Sequence, residues 1–274
     1  MKRVERHPFD PEATRPLFQR SLDRLMLLLS REGPIEISQL HRIGQRGLEV
    51  MQEASVFARE HPLLRTAART LAQAQLGAVL HSVRPRGSPV EFPLADRRVT
   101  MESAGPNGQS DMVAWMQGWY GALIAREADV FQGLRAIPDP ALDASAHVDT
   151  YHYAWKKALL ALDSDAAMVI AEVEQAIRLT DSGFISEAKP GVPRVAAALF
   201  PMLSAITRDD GVAFNDALVD ALEAHRDFWG NEIPHGPGSW IALGPLALCC
   251  LAHDRGMAIE VDSDYLLPAL IQRA

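Results

Sequence analysis

Trp240 to Ala252 is the longest apolar run in the chain, 13 residues interrupted only by Gly244 and Pro245. It constrains the fold more than any other stretch. A helix needs about 20 apolar residues to cross a bilayer, so this run reads as a buried helix that other helices must surround. Pro245 suits its first turn, and Gly256 suits the left-handed position after its last, behind His253 and Arg255. Cys249 and Cys250 sit side by side within it. Helix neighbours point in different directions, so the pair reads as two small core residues rather than a disulfide, and a reducing cytoplasm fits. Beyond Gly256, the residues Ala258 to Val261 read as extended. Ser263 starts a last turn, which Pro268 breaks or restarts.

The surrounding helices are supplied upstream. With 274 residues, 48% apolar and 23% charged, the chain can bury a core without disulfides or metal. Asp10-Pro11 opens a first helix whose face holds Leu17, Leu22, Leu25, Met26, Leu28 and Leu29. Gly33-Pro34 ends it. A second helix runs from Ser38 to near Glu60, and an alanine-rich third from Leu63 to near Ser82, packed on more than one side. Between Arg84 and Gln109, Val90, Phe92 and Leu94 alternate, as do Val99 and Met101, which predicts a hairpin turning at Ala95-Asp96-Arg97. Ser110 caps a helix with Trp115 and Trp119 on its core stripe. Helical pairs follow over His147–Leu162, Asp165–Leu179, Val192–Thr207 and Gly211–Phe228. The expected fold is mainly α, a multi-helix bundle of antiparallel helical hairpins with one small β-hairpin. It spans 1–274 as one domain, or as two lobes, 1–84 and 110–274, joined by 85–109. The Gly- and Pro-rich loop between Trp229 and Trp240 is either a presented binding loop or a connector.

Charge is uneven along the chain. The net of −8 divides into +5 over residues 1–100 and −13 over residues 101–274. An acidic part of this kind disfavours nucleic acid, which needs Lys and Arg to replace counterions, and suits either a basic partner or plain solvated helix faces. The N-terminus, MKRVERHPFDPE, has no apolar stretch behind its basic residues, so no signal peptide is expected.

Catalytic motifs are scarce. The sequence holds no glycine-rich phosphate loop, no nucleophile elbow and no HExxH helix. Ser186, Ser204 and Ser239 lack a nucleophile's motif. His147, Asp149 and His152 carry metal-binding atoms, but five residues apart on a helix is poor spacing for a shared face. His225, His235, His253 and Asp254 could be assembled into an HD-type metal-dependent phosphohydrolase, although only 20 residues remain after Asp254 for its downstream ligand.

One resemblance goes further. Leu243-Gly244-Pro245-Leu246-Ala247-Leu248 with Leu251-Ala252, then Val261, Ser263-Asp264-Tyr265-Leu266 and Pro268, resembles the immunity protein 49 family of bacterial polymorphic toxin systems. Ala217-Leu218 and Leu222-Glu223-Ala224-His225-Arg226 look like the helix before that block, and Arg6-His7 with Asp10 like the family's opening. These are packing motifs and carry no catalytic role. The resemblance implies a non-enzymatic cytoplasmic inhibitor, without cofactor or metal, that binds a cognate toxin domain encoded by a neighbouring gene. If that toxin acts on nucleic acid it carries a basic cleft. The acids placed to meet such a cleft are Asp216, Asp220, Glu223, Asp227 and Glu232, with Asp262 and Asp264 close in sequence. The alternatives are the phosphohydrolase, using His225, His253 and Asp254, and a helical scaffold for another endogenous partner.

Overall fold

The structure, a computed structural model, describes residues 2–8, 11–12, 15–108, 111–145, 148–180, 192–232 and 239–272. In chain order the elements are β1 (Lys2–Val4), α1 (Arg15–Leu29), α2 (Ile37–Phe57), α3 (Leu64–Val83), β2 (Pro89–Leu94), β3 (Arg97–Glu102), α4 (Met112–Ala125), α5 (Ala128–Arg135), α6 (Asp139–Ser145), α7 (Tyr151–Ala161), α8 (Ala166–Leu179), α9 (Val192–Ala197), α10 (Phe200–Thr207), α11 (Gly211–Glu232), α12 (Leu243–Asp254), β4 (Val261–Ser263) and α13 (Pro268–Ile271). The fold is mainly α, as expected. Two compact units divide it, one of residues 10–147 with 268–274, the other of residues 1–9 with 148–267.

The first unit is built on α2 and α3. They run antiparallel at very close range: a Cβ on Gly47 would lie 2.6 Å from the Ala67 carbonyl, and one on Gly44 would lie 3.2 Å from Ala74 Cβ. α4 packs equally closely, with Gly121 against Ala72. Small residues on three helices therefore replace side-chain packing with backbone packing, and the buried alanines of α3 follow from that. The hairpin β2–β3 pairs Phe92 with Val99 and Leu94 with Arg97. Its Val90, Phe92, Leu94 and Val99 are buried, and Phe92 fills the notch left by Gly77, whose Cβ would lie 2.5 Å from the ring. Ala95 turns the hairpin at φ +54°, its N–H bonded to Gln73 Oε1 at 2.8 Å. Residues 85–109, expected as a linker between lobes, thus lie within this unit, because a two-stranded hairpin needs helices to cover its apolar face. Ser103 Oγ also ties the hairpin's end to the carbonyls of His81 (2.7 Å) and Arg84 (2.8 Å). The same unit takes in α13, held by the Arg126 guanidinium at the carbonyls of Leu270 and Ile271.

In the second unit α7 pairs with α8, and α10 packs against α8 and α11. α12 is the expected buried helix: its two cysteines are fully buried, Pro245 lies in its first turn, and Gly256 follows its end at φ +85°. Two features differ from the reading of the sequence. The helix foreseen over Val192–Thr207 is two, α9 and α10, because Pro201 lacks an N–H and starts the second. The other is an unforeseen strand, β1, which pairs in parallel with β4, Lys2 opposite Val261 and Val4 opposite Ser263. The first helix is described from Arg15, whose N–H bonds the Pro11 carbonyl one turn back at 3.1 Å; Asp10 lies outside the described residues.

Candidate functional site

The acidic residues singled out from the sequence gather around α11. This helix starts where Asp210 Oδ1 accepts from the Ala213 N–H at 2.9 Å. It buries Phe214, Leu218, Ala221, Leu222 and His225, and turns Asp216, Asp220, Glu223 and Asp227 outward, all four exposed. Spacings of four, three and four residues keep them on one side of the cylinder. Glu232 closes the helix, and its side chain lies outside the described residues. So do residues 233–238 of the candidate loop, His235 among them, as well as Ser186, Ser110 and His147.

Asp262 and Asp264 reach the same face because of a residue the sequence did not mark. Asn215, on the buried side of α11, donates from Nδ2 to the carbonyls of Gly211 (2.8 Å) and Ala258 (2.9 Å). Its Oδ1 accepts from the Glu260 N–H at 2.7 Å. Two of these bonds fix residues 258–260 on the helix, the third anchors the amide to its own helix, and β4 follows directly. No short motif announces this role, since a lone Asn in a helix reads as an ordinary surface residue.

β1 then brings cations to these acids. Lys2 Nζ meets Asp216 Oδ1 at 2.6 Å. The Arg3 guanidinium contacts Asp262, and it lies 3.6 Å from Asp264. The hydrogen bond and charge of Asp216, and behind them the charge of Asp220, hold the Lys2 ammonium above its usual range. Arg226 pairs with Asp227 at 3.2 Å and approaches Glu223 at 3.9 Å. Asp220 has no ion pair among the described residues and interacts with Lys2 only through its field.

Behind β1 lies a buried polar lock. Arg6 donates to the carbonyls of Trp240 (2.9 Å) and Asp264, and stands over the Tyr265 ring at 5.7 Å. The Tyr265 hydroxyl accepts from the His7 N–H at 2.9 Å and lies 2.9 Å from His7 Nδ1. On its other side His7 Nε2 lies 3.4 Å from Ser239 Oγ. His225 Nε2 lies 3.0 Å from the Ser239 carbonyl. A carbonyl only accepts, so that nitrogen carries the proton. Burial pushes His225 down to about 4, with the Ser239 carbonyl opposing the shift. Its ring meets Tyr265 edge-on at 4.8 Å.

This row of Ser, His and Tyr superficially resembles a catalytic relay, but its geometry argues otherwise. A nucleophile and its general base must be reachable by a substrate, whereas Ser239 is fully buried and His7 is buried beside it. The chemistry available is that of holding two chain segments together. Of the phosphohydrolase trio, His225 is committed to Ser239, while His253 is paired loosely with Asp254 at 3.8 Å. Among the described residues no group of three or more His, Cys, Asp or Glu is placed to hold a metal, and no helix is long and apolar enough to cross a membrane. His152 stacks on Tyr151 at 4.0 Å, and its Nδ1 lies 3.1 Å from the Asp149 carbonyl.

The residues that carried the family resemblance therefore converge: His225 from α11, and Asp264 and Tyr265 after β4, with Arg6 and His7 brought in by the N-terminal segment. No curated protein and no solved structure matches the chain. A family profile described as Immunity protein 49 matches residues 49–269, a span that contains α11, α12 and β4 and leaves out β1 and α1. The chain belongs to the immunity protein 49 family.

Proposed function

We propose that this protein is a cytoplasmic immunity protein that neutralises a cognate toxin by binding it, without catalysis, and that the outward face of α11 is the contact. Family membership supports the immunity role. The observation that carries the contact assignment is the row Asp216, Asp220, Glu223 and Asp227, exposed together on one rigid helix. Such a row complements the basic cleft that a nucleic-acid-degrading toxin needs for its own substrate, and it would steer fast association. Asp262 and Asp264 are half-buried beside Arg3 and Arg6, and their part is to seat the N-terminal segment.

Co-expression with the toxin-like product of the adjacent gene tests the reading. The expected result is loss of toxicity together with a co-purifying complex. Undiminished toxicity without a complex would overturn it.

A further inference from the structure

Residues 2–8 are held in two unlike ways. Arg6 and His7 are fixed by the buried lock, with His7 5% exposed. Lys2 and Arg3 instead meet their carboxylates in water, the Lys2 and Asp216 side chains being 63% and 60% exposed. Exposed ion pairs stabilise little and are screened by salt, and a ladder of three residues is short even for a protein strand. Val4 is the one buried side chain of β1, helped by the bond from Ser263 Oγ to its carbonyl at 2.8 Å. Glu5, exposed, stands where the loosely held part gives way to the firm one.

Beneath Lys2–Val4 lie the edge of β4 and the carboxylates of Asp216, Asp262 and Asp264. An open strand edge recruits another strand through its backbone groups. Here the flanking charge selects an extended segment bearing Lys or Arg, and β1 itself has that character.

We propose that Lys2–Val4 is a strap that opens about Glu5 while Arg6 and His7 stay seated, and that a basic extended segment of the toxin takes its place beside β4. The second half rests on the immunity reading above. The strap is then an internal competitor: it keeps the strand edge covered in the free protein and yields it to a ligand of like chemistry.

The test is residue-level hydrogen exchange on the full-length protein and on the Lys2→Ala, Arg3→Ala variant, at about 0.05 M and about 0.5 M salt. The amides of residues 3–5 and 261–263 are expected to exchange about tenfold faster at high salt or in the variant, while those of His7, of Ala242 (bonded to the Tyr265 carbonyl) and of the centre of α11 keep their rates. Equal protection of residues 3–5 and His7, insensitive to salt and to substitution, would overturn the strap. Toxin association tests its occupant. The variant should bind about threefold faster or better, and unchanged or slower binding with the strap open would overturn the replacement. A toxin bound by neither protein would overturn the immunity reading and the replacement with it, and the exchange data alone would then decide the strap.

Discussion

Lys2 and Asp216 stand 214 positions apart in the sequence, yet their side chains meet at 2.6 Å. That contact changes what α11 presents to solvent. Asp216 has a cation from the chain's own N-terminal segment, Glu223 and Asp227 share Arg226, and Asp220 is left with the weakest compensation. The charge available to a partner is therefore concentrated at Asp220, Glu223 and Asp227.

Reversing these three together, Asp220→Lys with Glu223→Lys and Asp227→Lys, should leave the melting temperature nearly unchanged, because all three side chains are exposed. Association with the toxin should slow about tenfold or more at low salt, and the difference should close as salt rises. Stopped-flow binding at several salt concentrations reads both. Full neutralisation by the triple variant would remove α11 from the contact.

Asn215→Ala breaks three bonds and leaves the Glu260 N–H and the Ala258 carbonyl without their partner. The expected cost is about 2–3 kcal/mol, read as a shift in denaturation followed in the unit that holds α11. A shift below about 0.5 kcal/mol would mean that residues 258–260 are positioned by something else.

His225 makes the second unit sensitive to acid. The unfolded imidazole titrates near 6.5 and the folded one at about 4, so between these values the unfolded chain binds the extra proton. The contribution is fully present above pH 6.5, drains as the pH falls towards 4, and amounts to roughly 3 kcal/mol. His225→Gln keeps a donor for the Ser239 carbonyl and removes the titration. Its stability should fall less steeply across that window, measured by urea denaturation at several pH values, and an unchanged slope would assign the effect to another group.

Glu53 works in the opposite sense in the first unit. Its side chain is buried, Ser21 Oγ donates to Oε1 at 3.1 Å, and Oε2 has no hydrogen-bond partner among the described residues. Burial raises its carboxyl above the usual range. Its folded form therefore holds the proton longer than the unfolded chain does, and the associated stability is lost as pH rises through the folded value. Glu53→Gln should make this unit at least as stable as wild type at pH 7, with less loss between acid and neutral pH. A clear destabilisation at neutral pH would show that the charge itself is needed.

Gly77→Ala should cost about 1–3 kcal/mol, since the new methyl group would press into the Phe92 ring. Adding Phe92→Leu should recover part of that loss, and a thermal-melt cycle of the two substitutions measures the coupling.

Periodicity made most of the helices legible, because α2, α3, α11 and α12 each show an apolar face or run bounded by breakers. The hairpin was legible from the alternation of Val90, Phe92 and Leu94, and the caps from Pro245 and Gly256. The acidic stripe could be read in advance because its side is a matter of helical spacing alone. The countercharges could not. Lys2 and Arg3 look like a basic tail until β4 is known to lie beside them, and no local pattern encodes a three-residue parallel pairing across the length of the chain. The same holds for Asn215 and for the convergence of His7, His225 and Tyr265, each unremarkable in its own neighbourhood. The division into units was illegible for that reason also, since it depends on where the two terminal segments pack.

The pairing of Lys2–Val4 with Val261–Ser263 carries a consequence for synthesis. At about 5–20 residues per second, the partner strand emerges roughly 10–50 seconds after the first residues. Through that interval the KRVERH segment has no lock to enter, and Arg126 waits for the carbonyls of Leu270 and Ile271. The last contacts of both units thus close only when the C-terminal segment has emerged. On the proposed reading, the seated N-terminal segment is a mark of the finished chain, acquired in the last moments of its synthesis.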